Sequence, residues 1–127
     1  MKHNMLLKNF YTIVKSESLE ANSFSATIEI QKEHPIFEGH FPNLSVTPGV
    51  AMLQILKELT ENHLRLSLFL ESASNVKFLS LVDPNVNATL KFDIIIQEDS
   101  QYIKVKNTTS FEDGTPVLKC NVTFVKH

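Results

Sequence analysis

Tryptophan is absent from this 127-residue chain, cysteine occurs once and glycine three times. A single cysteine, Cys120, excludes an intrachain disulfide. Three scattered glycines leave no glycine-rich phosphate loop, and no Gly-x-Ser-x-Gly turn occurs. No apolar run approaches the roughly 18 residues a membrane span requires. Met1-Lys2-His3-Asn4 leads only to Met5-Leu6-Leu7 before Lys8 interrupts, which is too short for a signal-peptide core. A lone cysteine and no leader make a reducing cytoplasm the expected setting. Twelve basic residues stand against fourteen acidic ones, a formal net charge of -2 spread along the chain. There is neither a basic stripe for nucleic acid nor a polybasic membrane patch. No His/Cys/Asp/Glu cluster has ligand spacing, so neither a metal nor a cofactor is expected.

What is present is ordinary for a folded domain. Hydrophobic residues make up 43% and charged residues 20%, which fits one globular domain over residues 1–127. Nine phenylalanines accompany two tyrosines. Phenylalanine has no polar atom to satisfy, so this excess points to a dry interior or a subunit interface. Four Asn-x-Ser/Thr triplets, at Asn43, Asn87, Asn107 and Asn121, read as strand and turn residues.

Periodicity orders the chain. Phe10 to Lys15 reads as a short strand and Ser16 to Ala21 as a connection. Phe24, Ala26, Ile28 and Ile30 alternate with polar residues, the pattern of a half-buried strand. Lys32 to Thr47, with Pro35, Gly39 and Pro42, reads as irregular loop. A helix follows, with Thr47 as N-cap and Pro48 at its first position. Val50, Ala51, Met52, Leu53, Ile55, Leu56 and Leu59 make its first turns apolar nearly all round, so it is buried. From Lys57 it reads as amphipathic, ending near His63. Strands follow around Val76–Phe78, Leu90–Ile94, Ile103–Val105 and Leu118–Phe124, with turns at Asp83-Pro84-Asn85 and Asp113-Gly114. Cys120 falls on an apolar strand face. One apolar helix among strands needs a sheet curled around it, an α+β fold.

The chemistry concentrates in Pro35-Ile36-Phe37-Glu38-Gly39-His40-Phe41-Pro42 and Val46-Thr47-Pro48-Gly49-Val50. Gly39 permits unusual backbone angles and Pro42 holds Phe41 extended, so His40 sits on a stiff loop. Histidine is the usual general base near neutral pH. Seven residues later a helix N-terminus begins, whose free N–H groups can hold an oxyanion. A base beside an oxyanion site is what abstraction of a proton α to a carbonyl requires. His3, His34, His63 and His127 read as packing or surface residues.

Phe37-x-Gly39-His40-Phe41-Pro42 with Pro48-Gly49-Val50 resembles the active-site segment of the β-hydroxyacyl-acyl-carrier-protein dehydratases. Asn75-Val76-Lys77-Phe78 and Val82-Asp83-Pro84 resemble that family's third strand and following turn. The resemblance runs over roughly residues 10 to 126. It implies a hot-dog fold, an antiparallel sheet wrapped around one long central helix, and subunits paired with active sites between them. The implied reaction removes water from 3-hydroxyacyl thioesters. The implied partners are acyl carrier protein, with its phosphopantetheine-linked acyl chain, and a hot-dog subunit in a homodimer or heterodimer. His40 matches the catalytic histidine, and Gly49 the glycine whose N–H binds the thioester carbonyl. Phe37, Phe41 and Val50 are read as lining the acyl tunnel, with core packing as the alternative.

One departure stands out. In the family the histidine works with an acidic residue on the central helix of the partner subunit, fourteen positions after the histidine in sequence, where this chain has Gln54. A carboxamide can hydrogen-bond a hydroxyl but has no titratable proton to give. Three readings follow: a dehydratase in which His40 is both base and acid, a subunit paired with an active homologue, or an acyl-thioester-binding or thioesterase protein. Glu58, one helical turn beyond Gln54, and Glu38, beside the histidine, are weaker substitutes for the missing acid.

Overall fold

The computed structural model describes residues 9–37 and 47–127. Alternation decides which side of each strand turns inward. Phe24, Ala26, Ile28 and Ile30 of β2 (Ser23–Ile30) are buried, as are Leu90, Phe92, Ile94 and Ile96 of β4 (Thr89–Asp99). Ile103, Val105, Asn107 and Thr109 do the same for β5 (Tyr102–Phe111), and Leu118, Cys120, Val122 and Phe124 for β6 (Pro116–Lys126). With β1 (Tyr11–Glu20) and β3 (Leu68–Phe78) these strands form one antiparallel sheet in the order β1-β2-β4-β5-β6-β3. The inner face shares a single core with Ala51, Met52, Ile55, Leu56 and Leu59 of α1 (Gly49–Leu64). Full burial of each large aliphatic side chain contributes roughly 1.5–3 kcal/mol, so the helix is held chiefly by the sheet around it. This is the hot-dog fold.

Several expectations shift. β1 continues through Ser16–Glu20, where a connection was expected, because those residues pair with Ser23–Ala26 across a tight turn, with one register shift between Ser18 and Glu20. β3 begins at Leu68, well before Val76. Its first half lacks an apolar alternation because, beyond Leu68, neither of its faces is buried. The helix starts one residue later than expected: Pro48 is the N-cap, and Gly49 the first helical residue. Beyond Lys57 the helix is not amphipathic in the expected sense, since Glu58, Thr60 and Glu61 are themselves buried. Their polar atoms find partners inside the fold, which is what permits the burial.

Cys120 is a core residue, its thiol donating weakly to Asn107 Oδ1, and burial pushes it up to about 11. Asp113-Gly114 forms the β5–β6 turn, with Gly114 at φ 91°, a conformation open to glycine. The expected packing role suits three histidines. His34 meets Phe10 edge-on at 5.2 Å, His63 stacks on Phe24 at 4.0 Å, and His127 stacks on Phe69 at 4.4 Å.

Candidate active site

His40 and Phe41 lie outside the described residues, as do Glu38, Gly39 and Pro42. The described part of the expected site is therefore Phe37, Gly49, Val50 and Gln54. Phe37 ends a short 3-10 turn, Pro35–Phe37, and stacks on Phe10 at 5.7 Å, half-buried against the core. The other three sit on the first two turns of α1.

The start of α1 is open. The Pro48 carbonyl accepts from the N–H groups of Ala51 and Met52, at 3.0 and 3.3 Å. Among the described residues no side chain caps the helix. The first-turn N–H groups of Gly49 and Val50 have no intrahelical acceptor and point out along the axis. Thr47 is fastened elsewhere: its N–H donates to the Val82 carbonyl at 2.8 Å, and its hydroxyl is buried without a partner. A Cβ at Gly49 would stand 2.8 Å from Cζ of Phe78, which lies over it.

One turn on, Gln54 borders a groove of about 230 Å³ between the helix and the sheet edge. Val50, Leu53 and Lys57 line the helix side, with Leu70 of β3 and Val122 and Phe124 of β6 opposite. Val50 is 77% exposed, so it stands at an open rim. The walls are apolar, and Gln54 and Lys57 bring the polar groups. Such a slot fits an acyl chain better than a polar ligand.

Behind the groove lies a polar unit that sequence reasoning did not assemble. Gln54 Nε2 donates to Glu58 Oε2 at 2.9 Å, and the Tyr11 hydroxyl donates to Glu58 Oε1 at 2.8 Å. Glu58 is only 7% exposed and is absent from the groove wall. Burial, then the hydrogen bond to Glu58, pushes the Tyr11 phenol far up, so it stays a protonated donor. The i to i+4 spacing of Gln54 and Glu58 was visible in the sequence, but Tyr11 is 47 positions away and carried no local signal. Glu61 makes a separate unit, accepting from Lys57 Nζ at 3.2 Å and from the Leu68 N–H at 2.8 Å. Among the described residues no three His, Cys, Asp or Glu side chains group to hold a metal ion. No described helix is long and apolar enough to cross a membrane.

Chemically, the described site offers N–H groups with no acceptor among the described residues at a helix start, an apolar slot beside them and one carboxamide on its wall. The family model for ApeI-like proteins, described as ApeI dehydratase, matches residues 15–115. A 3-hydroxyacyl-[acyl-carrier-protein] dehydratase FabZ from Chlamydia pneumoniae is 32% identical over 90 residues, which is 63% of this chain and 58% of that protein. The alignment thus spans less than two-thirds of that relative. Among solved structures, a chain of the dehydratase heterocomplex ApeI:P from Xenorhabdus doucetiae superposes with a TM-score of 0.73 at 17% identity, covering 90% of this chain and 96% of that one. A hypothetical thioesterase from Streptococcus pneumoniae, solved with coenzyme A, superposes with a TM-score of 0.67 at 12% identity, covering 95% and 90%. At such identities the superpositions establish the fold alone.

Proposed function

The chain belongs to the ApeI-like dehydratase family, and on that premise we propose that it removes water from 3-hydroxyacyl thioesters presented on the phosphopantetheine arm of acyl carrier protein. The observation that carries this reading is the apolar groove beside Gln54, which begins near the uncapped start of α1.

In the proposed mechanism His40 takes the α-proton of the acyl chain. The N–H of Gly49 holds the thioester oxygen as negative charge develops there. The electron pair from the broken C–H bond forms the double bond between C2 and C3. The C3–O bond breaks, and the imidazolium of His40 returns its proton to the departing hydroxyl, which leaves as water. Gln54 orients that hydroxyl. Phe37, Phe41 and Val50 contact the acyl chain.

A second hot-dog subunit belongs to this reading. Edge strand β3 exposes Phe69, Leu70 and Phe78, each at 52%. Its outer backbone edge has no strand beside it among the described residues. A long apolar edge of this kind calls for a pairing strand. Leu70 also walls the groove, so a subunit added there completes the site. Gln54 specifically favours a heterodimer as the second reading: a related partner bearing a carboxylate supplies the acid this chain lacks. The cytoplasm is the setting we assign.

The test is a dehydration assay on 3-hydroxyacyl thioesters, using the chain alone and with any subunit that co-purifies from its native host. Wild type, His40→Ala and Gln54→Glu are compared. Turnover that disappears in His40→Ala supports the proposal. A positioned acid is worth roughly 10²–10⁴-fold, so Gln54→Glu is expected to raise the rate of the isolated chain. No turnover above the His40→Ala background, alone or paired, ends the dehydratase reading. Release of free acid would replace it with a thioesterase.

A further inference from the structure

Gln54 is held in one orientation by groups that never reach the groove. Both oxygens of Glu58 act as acceptors, Oε1 from the Tyr11 hydroxyl at 2.8 Å and Oε2 from Gln54 Nε2 at 2.9 Å. A carboxylate has no hydrogen to offer. Turning the Gln54 amide over would set its carbonyl oxygen against a carboxylate oxygen at that same short distance, with no proton between them. A buried acceptor facing an acceptor forfeits the bond and retains the desolvation cost. One Nε2 hydrogen is therefore committed to Glu58, and the amide's orientation is fixed. Gln54 Oε1 accepts no hydrogen bond from any described residue, and Gln54 itself lines the groove.

We propose that Tyr11 and Glu58 are positioning residues that lock the Gln54 carboxamide with its Oε1 available to the groove, so that the site selects acyl chains carrying a hydroxyl donor at C3. This rests on the reading of the groove as an acyl-thioester site and deepens it. A 3-hydroxyl donates its hydrogen to Gln54 Oε1 and keeps its lone pairs free for the incoming proton. A saturated chain offers nothing to Oε1. Facing Oε1, a 3-oxo chain presents an acceptor to an acceptor and is disfavoured there. Gln54 thus acts as a selector of the substrate's hydroxyl rather than as a proton source. Tyr11, anchored on β1, fixes Glu58 from the side opposite Gln54.

The test measures binding without turnover, in the full-length His40→Ala chain. The ligands are three pantetheine thioesters of one chain length: 3-hydroxyacyl, saturated and 3-oxoacyl. One added hydrogen bond predicts the 3-hydroxyacyl form bound about three- to tenfold more tightly than the saturated one, with the 3-oxo form weakest. In Glu58→Gln two carboxamides pair in either orientation, so the preference should fall below about twofold while the saturated chain binds as before. Tyr11→Phe should weaken the preference less. Gln54→Met should abolish it. A purely structural role for Glu58 would instead lower the melting temperature and leave the preference intact, which overturns the proposal. So does no preference in the starting protein, or no binding of any of the three. If the chain with His40 intact fails to dehydrate but the preference follows Glu58, the enzymatic reading falls and the selector stands. If it dehydrates and Glu58→Gln keeps the full preference, the reverse holds.

Discussion

At its C-terminal end α1 closes on itself. The N–H groups of Arg65 and Leu66 both turn back to the Glu61 carbonyl. The Glu61 carboxylate, meanwhile, accepts from Lys57 and from the first N–H of β3. At the N-terminal end nothing comparable happens among the described residues. Pro48 caps with its carbonyl alone, the nearby Thr47 hydroxyl is buried without a partner, and Gly49 lies bare beneath the Phe78 ring. Both ends belong to one buried helix, yet one has used its polar groups to join helix to sheet and the other has left them open. A closed end adds stability, whereas an open end beside an apolar groove offers its unpaired groups to a ligand. The contrast predicts that substitutions at the two ends separate stability from activity.

The largest effect should come from Glu61→Ala. It removes the acceptor of the Leu68 N–H and leaves Lys57, which is mostly buried, without its carboxylate. A buried donor left unpaired costs about 1–3 kcal/mol, and loss of the partly screened ion pair adds to it. A loss of about 2–4 kcal/mol is expected, read as a lower urea midpoint with an unchanged m-value. The preference for 3-hydroxyacyl over saturated ligands should survive. If that preference collapses while the urea midpoint stays put, the two ends are not divided in this way.

Gly49→Ala probes the open end. The new Cβ would lie 2.8 Å from Phe78 Cζ, the far end of a half-exposed ring that can swing aside. Alanine also restricts the unfolded chain more than glycine, by about 0.4–1 kcal/mol in favour of folding. Stability should therefore change by no more than about 1 kcal/mol. On the proposed mechanism the Gly49 N–H holds the thioester oxygen, and crowding it should slow dehydration by about tenfold, short of the roughly 10²–10³ for outright removal of such a donor. An unchanged rate would assign Gly49 to packing alone.

What the sequence made legible follows the range of the interactions. β2, β4, β5 and β6 were readable because each has one buried face, as Phe24-Ala26-Ile28-Ile30 illustrates. The first half of β3 was not, because an edge strand with both faces exposed needs no alternation. Glu58 and Glu61 fell in the stretch read as amphipathic, and their burial was not legible, since the partners that permit it, Tyr11 and the Leu68 N–H, come from other elements. Gln54 was singled out by its spacing from His40. Its hydrogen bond to Glu58 was not part of that reading. Phe37 was placed with the acyl walls, and its described contact is with Phe10.

The smallest effect, and one of opposite sign, is expected at the closed end. Arg65 adopts φ 57° and ψ 44°, the left-handed conformation that ends many helices and normally belongs to glycine. For a residue with a Cβ that conformation costs about 1–2 kcal/mol. Glycine escapes this cost but gives up roughly 0.5–1 kcal/mol through its freer unfolded chain. Arg65 is exposed, so little packing is lost with its side chain. Arg65→Gly should therefore stabilise the protein by about 0.5–1 kcal/mol, a rise of a few degrees in Tm for a chain of this size. The N–H that turns back to the Glu61 carbonyl is retained in the variant. Ligand preference and dehydration rate should be unchanged, because Arg65 does not line the groove. A Tm that falls would mean that Arg65 is held by its side chain rather than tolerated for its backbone, and that the closed end is fastened by more than Glu61.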